Sequence, residues 1–440
     1  MSKHANRNHW LLGAAVFAAS AIAVQADATP SNDDLFRQFF DAGVRYTQAL
    51  DFPNRIGDLG DPVNGQARFG IAADGVSSDD SQALFEGESS IAGTVVSNGR
   101  TCFTCHRPEN RLGLPPLPLT STIPLDDVLF TGLESDIGDE PLGLVNFNEL
   151  GLLFHRANRF NPLLPPGDPF LKVFFWRKSQ PLINIVFTFG ALNDGRMREL
   201  TEAVRGAIFT HTQNTDLRFD DLAPIQDLRD MSAFMESQID PPELAALLDP
   251  DDPLHDTLLD DPFYTVNATT PAEKRGQKLF AKHCMSCHNM PNVFSNRDHV
   301  DGNPLSFPPH YGHVMDIGVS QRNKHDLEFR DFDSVTGQRV PVVLKLVKVD
   351  GTIVEHTVVD DIGVAAATAR YEDLHRFKVP QLRGIRHVAP YFHDNSADTL
   401  EEVVDYFTSP WYNHSADGKK KQIHLNTKQK ADLVAFLKIL

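Results

Sequence analysis

The 440-residue chain reads as a mainly helical protein built from two related halves, with a small β-hairpin in the second. Three observations carry that reading. A pentad of the form Cys-x-x-Cys-His occurs once in each half, the residues further on run in parallel, and each half closes on an amphipathic helical pattern. At about 150 residues per domain, this length holds two or three domains. A composition 41% hydrophobic and 23% charged supplies large cores and excludes a disordered or fibrous chain. Lys and Arg number 41 against 59 Asp and Glu, a net charge of −18 with no basic tract, so nucleic acid is excluded as a partner. Four cysteines are too few to staple a chain of this size, and their placement carries the information.

Residues 1–26 have the pattern of an export signal. Lys3 and Arg7 form a short positive start, Trp10 to Val24 is apolar, and Val24-Gln25-Ala26 offers a small-residue cleavage site. An apolar stretch of about 15 residues falls short of the roughly 20 that span a bilayer. A periplasmic or secreted protein with no membrane span after signal removal is therefore expected.

The mature chain divides near residue 265, into an N-terminal domain over 27–265 and a C-terminal domain over 266–440. The boundary follows Leu247 to Asp261, where Asp-Pro pairs and further aspartates break regular structure and resist burial. Just beyond it, Thr270-Pro271-Ala272-Glu273 is a capping box with proline at the first helical position. A helix is expected from there through Leu279 and Phe280 to the second cysteine pair.

Pro181 and Pro380 each begin a run, ending in Asn193-Asp194-Gly195 and His393-Asp394-Asn395 respectively. Beyond the aspartates, Leu200, Glu202 and Val204 match Leu400, Glu402 and Val404. Helices are expected around Leu228 to Met235 and over Lys428 to Leu440, the second from the helical spacing of Ala431, Val434 and Leu437. Matches this regular indicate a diverged duplication. Val340 to Val349 and Thr352 to Val359 flank Asp350-Gly351, which predicts an antiparallel hairpin inserted in the second half. It is read as exposed decoration. Trp176, in an apolar run, is read as core.

The pentads are Cys102-Phe103-Thr104-Cys105-His106 and Cys284-Met285-Ser286-Cys287-His288. Two thiols three positions apart can both reach the vinyl edge of a haem and form thioethers, and the next histidine turns beneath the ring to bind iron. This is the covalent attachment signature for haem c, and export agrees with it. A zinc site would need the two pairs far closer in sequence. A thioredoxin-like redox pair would need a flanking βαβ pattern, which is missing. Disulfides across such short spans would be strained. Two covalently bound haems are expected, on Cys102, Cys105, Cys284 and Cys287, with His106 and His288 as iron ligands.

The stretch Arg376-Phe377-Lys378-Val379-Pro380-Gln381-Leu382-Arg383, continued by Ala389-Pro390-Tyr391-Phe392-His393-Asp394-Asn395, resembles the bacterial dihaem cytochrome c peroxidases, including the MauG-type enzymes. The resemblance covers most of the mature chain and implies two cytochrome c-like helical domains packed face to face. It implies peroxide reduction at one accessible haem, with electrons supplied or relayed by the other.

Departures from the family are informative. Its inter-haem tryptophan falls at Asn193, its distal glutamine at Ala203 and its distal acid at Gln213. A peroxidase must move a proton between the peroxide oxygens; His211 is the acid–base candidate and Gln213 a hydrogen-bond donor. No histidine lies between His106 and His155 to close the first iron. The sixth ligand of the second haem falls at Phe407, which cannot bind iron, leaving Tyr406, Tyr412, His414 and Met315. His393 is read as a structural residue that orders the loop near the haem. Family members often hold calcium between the domains, but Lys178 lies near the expected asparagine, so calcium is left open.

The leading expectation is a periplasmic dihaem oxidoreductase that reduces hydrogen peroxide at an open N-terminal haem and draws on a redox partner protein or oxidisable substrate. Two rivals stand beside it. One is a dihaem oxygenase of the rubber-oxygenase type using dioxygen, toward which Ala203 and Gln213 lean; the other is a plain electron-transfer cytochrome with both irons closed.

Overall fold

Two helix pairs, one in each half, carry the fold. In the first, α1 (Pro62–Phe69) crosses a helix over Ile225–Glu236; in the second, a helix over Pro271–His283 crosses the last one, Thr427–Leu437. The computed structural model describes residues 60–70, 100–130, 141–156, 174–188, 190–197, 200–208, 211, 225–296, 314–332 and 339–440. The export signal and Gln213 lie outside the described residues. In chain order, the other principal helices are α2 (Leu200–Ala207), α3 (Ile225–Glu236), α4 (Pro271–His283), α5 (Leu400–Phe407) and α6 (Thr427–Leu437). Among the described residues no helix is long and apolar enough to cross a membrane.

Both crossings are made close by a glycine. A Cβ placed on Gly65 would lie 2.0 Å from the Asp230 carbonyl oxygen, and one on Gly276 would lie 2.0 Å from that of Asp432. Phenylalanines fill the space beside each crossing, Phe69 against Phe234 at 4.8 Å between centroids and Phe280 against Phe436 at 5.3 Å. Helix α4 starts where its capping box lies. The Glu273 N–H donates to Thr270 Oγ1 (3.2 Å), and the Thr270 N–H donates back to Glu273 Oε2 (2.8 Å).

The runs after Lys178 and Lys378 share one backbone path, displaced by 200 residues. Turns at Ile185–Phe187 and Ile385–His387 lead into isolated bridges, Ala191 to Met197 and Tyr391 to Ala397, and then into α2 and α5. Leu192 (φ 73°) and Phe392 (φ 71°) are both left-handed, as are Gly195 (70°) and Asn395 (54°). In this register Pro181 and Pro380 are one position apart, because Gln-Pro in the first half is Pro-Gln in the second.

The strands form two-stranded antiparallel ribbons. Strands β1 (Leu152–Arg156) and β2 (Phe174–Lys178) pair antiparallel, as do β3 (Val314–Met315) and a strand at Phe377–Lys378. The hairpin strands β4 (Val343–Val347) and β5 (Ile353–Thr357) pair with Val343 opposite Thr357 and Val347 opposite Ile353; Phe377–Lys378 is then β6.

The hairpin corrects the expectation of exposed decoration. Alternation along β4 turns Leu344 and Leu346 inward, both fully buried, and they pack with Leu152, Phe175 and Trp176 of the first half. Only the outer face, with Val343 and Ile353, meets solvent. Trp176 is a core residue of that shared cluster. The aspartate-rich segment also differs from a bare connector. Its carboxylates face outward, while Leu244, Leu247 and Leu258 are buried with Val186 and Phe187 on one side and Met290 and Val293 on the other. Its helical turns at Pro242–Leu248 and His255–Asp260 expose charge and bury leucine.

Candidate functional site

Each pentad ends in a histidine held in the same way. His106 Nδ1 lies 2.9 Å from the Leu112 carbonyl oxygen, and His288 Nδ1 lies 2.9 Å from that of Phe294. In both cases the acceptor is six residues on and sits in left-handed backbone, at φ 57° and 60°. A carbonyl on Nδ1 makes that nitrogen the N–H and leaves Nε2 as the lone-pair nitrogen, the tautomer a metal-binding imidazole needs. Burial lowers the pKa of both rings, His288 to about 4 against the opposing pull of the Phe294 and Pro380 carbonyls. Both imidazoles are therefore neutral at pH 7.

The four thiols are unbridged. Burial pushes Cys102 and Cys284 up to about 12, with Cys105 and Cys287 adding to the effect. Redox-active pairs require a lowered thiol pKa, so the thioredoxin-like reading does not fit these sites. Among the described residues no group of three or more His, Cys, Asp or Glu side chains could hold a metal ion.

Beside His288 a cleft of about 300 Å³, partly open to solvent, is lined by Cys284, Cys287 and His288 with largely apolar neighbours such as Phe280, Phe407 and Leu433. That volume lies at the lower end of the roughly 300–1,000 Å³ of ordinary small-ligand pockets. Thiols at the rim, a neutral histidine in the wall and an apolar interior suit a haem, so the donor set fits that group. Of the four sixth-ligand candidates, Met315 and Tyr412 line the cleft. Tyr406 is engaged elsewhere, donating to the Ile317 carbonyl at 2.6 Å, and His414 sits exposed against the Pro410 carbonyl. The Tyr412 hydroxyl donates to Lys421 O at 3.3 Å.

In the first half, His211 lies close enough to His106 that its charge contributes to lowering the His106 pKa. Its carbonyl accepts from the buried Arg100, whose guanidinium also donates to the carbonyls of Val128 and Leu129. Ala203 is half-buried on α2 and offers no polar group.

Between the halves lies a charged cluster that the sequence reading missed. Arg177 donates to Asp361 through Nε (2.5 Å) and Nη2 (2.7 Å) and to Asp194 through Nη1 (2.5 Å). Arg196 closes on Asp194 at 2.8 Å. All four side chains are buried, and the two guanidinium groups hold the Asp194 carboxyl far below the usual carboxylate range although burial alone would raise it. His393 is buried alongside, its ring stacked on Phe377 at 3.8 Å and 18°, with Nε2 3.4 Å from Ser320 Oγ. The available signal was Arg177-Lys178 ending an otherwise apolar strand.

The chain thus carries two Cys-x-x-Cys-His sites whose histidines are held in the same way. Relatives of known naming share its sequence. It is 27% identical over 179 residues to cytochrome-c peroxidase IdrP1 of Pseudomonas sp. (strain SCT), a match covering 40% of this chain and 41% of that relative. It is 24% identical over 300 residues to cytochrome-c peroxidase IdrP2 of Denitromonas iodatirespirans, covering 64% and 73%. Among solved structures, a MauG-like protein associated with microbial copper homeostasis aligns over 89% of the chain and 90% of its own at 15% identity and TM-score 0.43. The diheme peroxidase BthA from Burkholderia thailandensis E264 aligns over 89% and 87% at 16% identity and TM-score 0.44. No family model matches the chain. These sequence matches to proteins named cytochrome-c peroxidase support a dihaem cytochrome c peroxidase/MauG family for the chain.

Proposed function

We propose that the protein is an exported, periplasmic dihaem c-type oxidoreductase that reduces hydrogen peroxide at an open N-terminal haem, with electrons relayed through a C-terminal haem. The observation that carries this reading is the doubled site, with Nδ1 of His106 and of His288 each held by a carbonyl six residues on. In this reading residues 1–26 are removed on export. Domains over 27–265 and 266–440 descend from one duplicated unit, and the hairpin is an insertion in the second.

Cys102 and Cys105 hold one haem and Cys284 and Cys287 the other, with His106 and His288 presenting Nε2 to iron. Haem iron supplies the redox chemistry when bound. The protein's own task is to position, exclude water and move protons. Cleavage of peroxide to two waters consumes two electrons and two protons, so a proton donor must stand near the bond that breaks. His211 takes that role, since it lies near His106 and an imidazole can give and take a proton, while Gln213 donates a hydrogen bond. Electrons come from a partner protein or oxidisable substrate. At the second site Met315 is the sixth-position candidate best supported, because it lines the cleft while the Tyr412 hydroxyl already has a carbonyl partner.

A stoichiometric peroxide titration of the diferric protein, followed by absorbance and electron paramagnetic resonance, tests the reading. Loss of ferric signal from both haems is expected. Unchanged ferric signals would sink it, and dioxygen binding to the reduced protein would then favour the oxygenase reading that Ala203 suggests. His211→Ala turning over as fast as wild type would remove His211 from its role. Met315→Ala should lower the potential of the second haem and abolish its sulfur-to-iron absorption, whereas Tyr412→Phe should leave both intact.

A further inference from the structure

The seam between the halves is closed by two lysines, Lys178 at the end of β2 and Lys378 at the end of β6. Each reaches across to the other half. Lys178 Nζ donates to the carbonyl oxygens of Val388 (2.7 Å) and Pro390 (2.5 Å), and its N–H donates to His393 O (2.7 Å). Lys378 Nζ donates to Gly190 O (2.6 Å), and its N–H donates to Asn193 O (3.0 Å). Donors and acceptors are related by the same displacement of 200 residues, Lys178 to Lys378, Gly190 to Pro390 and Asn193 to His393. The contacts are therefore reciprocal about an approximate twofold axis.

Burial pulls the Lys178 pKa down to about 7, and in its protonated form the side chain is a cation held by backbone oxygens. Among the described residues it has no carboxylate partner; its acceptors are two main-chain carbonyls two residues apart, bounded by Pro390. Carbonyl oxygens are the ligands a hard cation such as calcium takes, at 2.3–2.6 Å and six to eight in number. An ammonium spends its own N–H bonds on the same lone pairs. A divalent ion bound there would meet the protonated amine, a like charge, within bonding distance and be repelled by it. Lysine and metal are alternatives at these oxygens.

We infer that the Lys178 ammonium stands in place of the calcium that the family holds between its domains, so that the two halves of this protein close without a divalent ion. The inference rests on family membership and on the seam, not on peroxide chemistry. It concerns which cation joins the halves, and it gives Lys378 the matching role on the other side of the axis.

Thermal melts of the full-length holoprotein in excess EDTA and in excess calcium chloride test it, with haem content measured in each sample to show that both sites remain loaded. The wild type should melt at the same temperature in both. A lower melting temperature in EDTA, restored by calcium and not by magnesium, would overturn the inference. Lys178→Asn removes the tethered charge and leaves an oxygen ligand beside the bared carbonyls. It should melt several degrees lower than wild type in EDTA and recover part of that loss in calcium. Lys178→Met should show the loss without the recovery. If Lys178→Met melts like the wild type in EDTA, the lysine does not close the seam and the inference fails.

Discussion

The two halves follow one backbone plan and fill it with different side chains. Leu192 and Phe392, Gly195 and Asn395, and Gly65 and Gly276 hold equivalent positions in turn and crossing. Yet Arg177, Asn193 and Arg196 of the first half stand where Phe377, His393 and Ser396 stand in the second. The retained features are those that the main chain requires, a left-handed turn, a close helix approach and a carbonyl on a histidine. Those that changed face the seam, where one half contributes guanidinium groups and the other an aromatic stack. Backbone geometry is common to the halves while the chemistry between them is asymmetric.

The comparison breaks first at the cysteines. Replacing Cys284 and Cys287 with serine, or Cys102 and Cys105, should reduce covalent haem from two per chain to one, as read by pyridine haemochrome absorbance after acid–acetone extraction. Two haems surviving extraction in either variant would mean that the halves are not equivalent attachment sites.

Arg177→Met tests the asymmetric seam. It strands Asp194 and Asp361 in a buried site, and breaking a buried ion pair from one side costs about 3–5 kcal/mol. Urea unfolding should show that loss, and one under about 1 kcal/mol would mean the cluster contributes little to holding the halves together.

Gly65→Ala and Gly276→Ala sharpen the shared part. Each adds a Cβ that must displace a carbonyl 2.0 Å away, an overpacking worth about 1–3 kcal/mol. Similar losses of melting temperature are expected from the two. A marked difference would show that one crossing can relax and the other cannot.

The smallest effect is expected at His375, which has no counterpart in the first half. Burial alone would lower its pKa, but the hydrogen bond and charge of Asp360 at 3.0 Å, with Asp316 and Asp361 nearby, raise it above 6.5. A raised histidine pKa stabilises the fold fully below the unfolded value and loses that contribution as pH rises through the folded one. Wild type should therefore lose stability relative to His375→Asn as pH rises from slightly acid to slightly alkaline, by no more than about 1.5 kcal/mol. A difference that grows in the other direction would contradict the assignment.

What could be read from residues alone was local or repeated. The pentads are legible because their spacing is fixed along one turn of chain and recurs in both halves. Helix α4 was legible because Thr270 and Glu273 cap it within four residues, and α3 and α6 because their apolar spacing is helical. The parallel runs after Lys178 and Lys378 were visible because the same turn recurs. By contrast, the carbonyls on His106 and His288 depend on left-handed Leu112 and Phe294, residues that give no sequence signal for that conformation.

The sequence by itself thus determined the two pentads, the helices beside them and the turn that recurs in both halves, since each is set by neighbours within a few positions or by direct repetition. Tertiary structure decided which face of the hairpin is buried, which sixth-position candidates reach the cleft, and how the seam is bonded. Arg177 meets Asp361 across 184 residues, and Lys178 meets Pro390 across 212. Electrostatic and hydrogen-bond partners that distant are chosen by how the halves pack, and no period or local propensity in the chain records the choice.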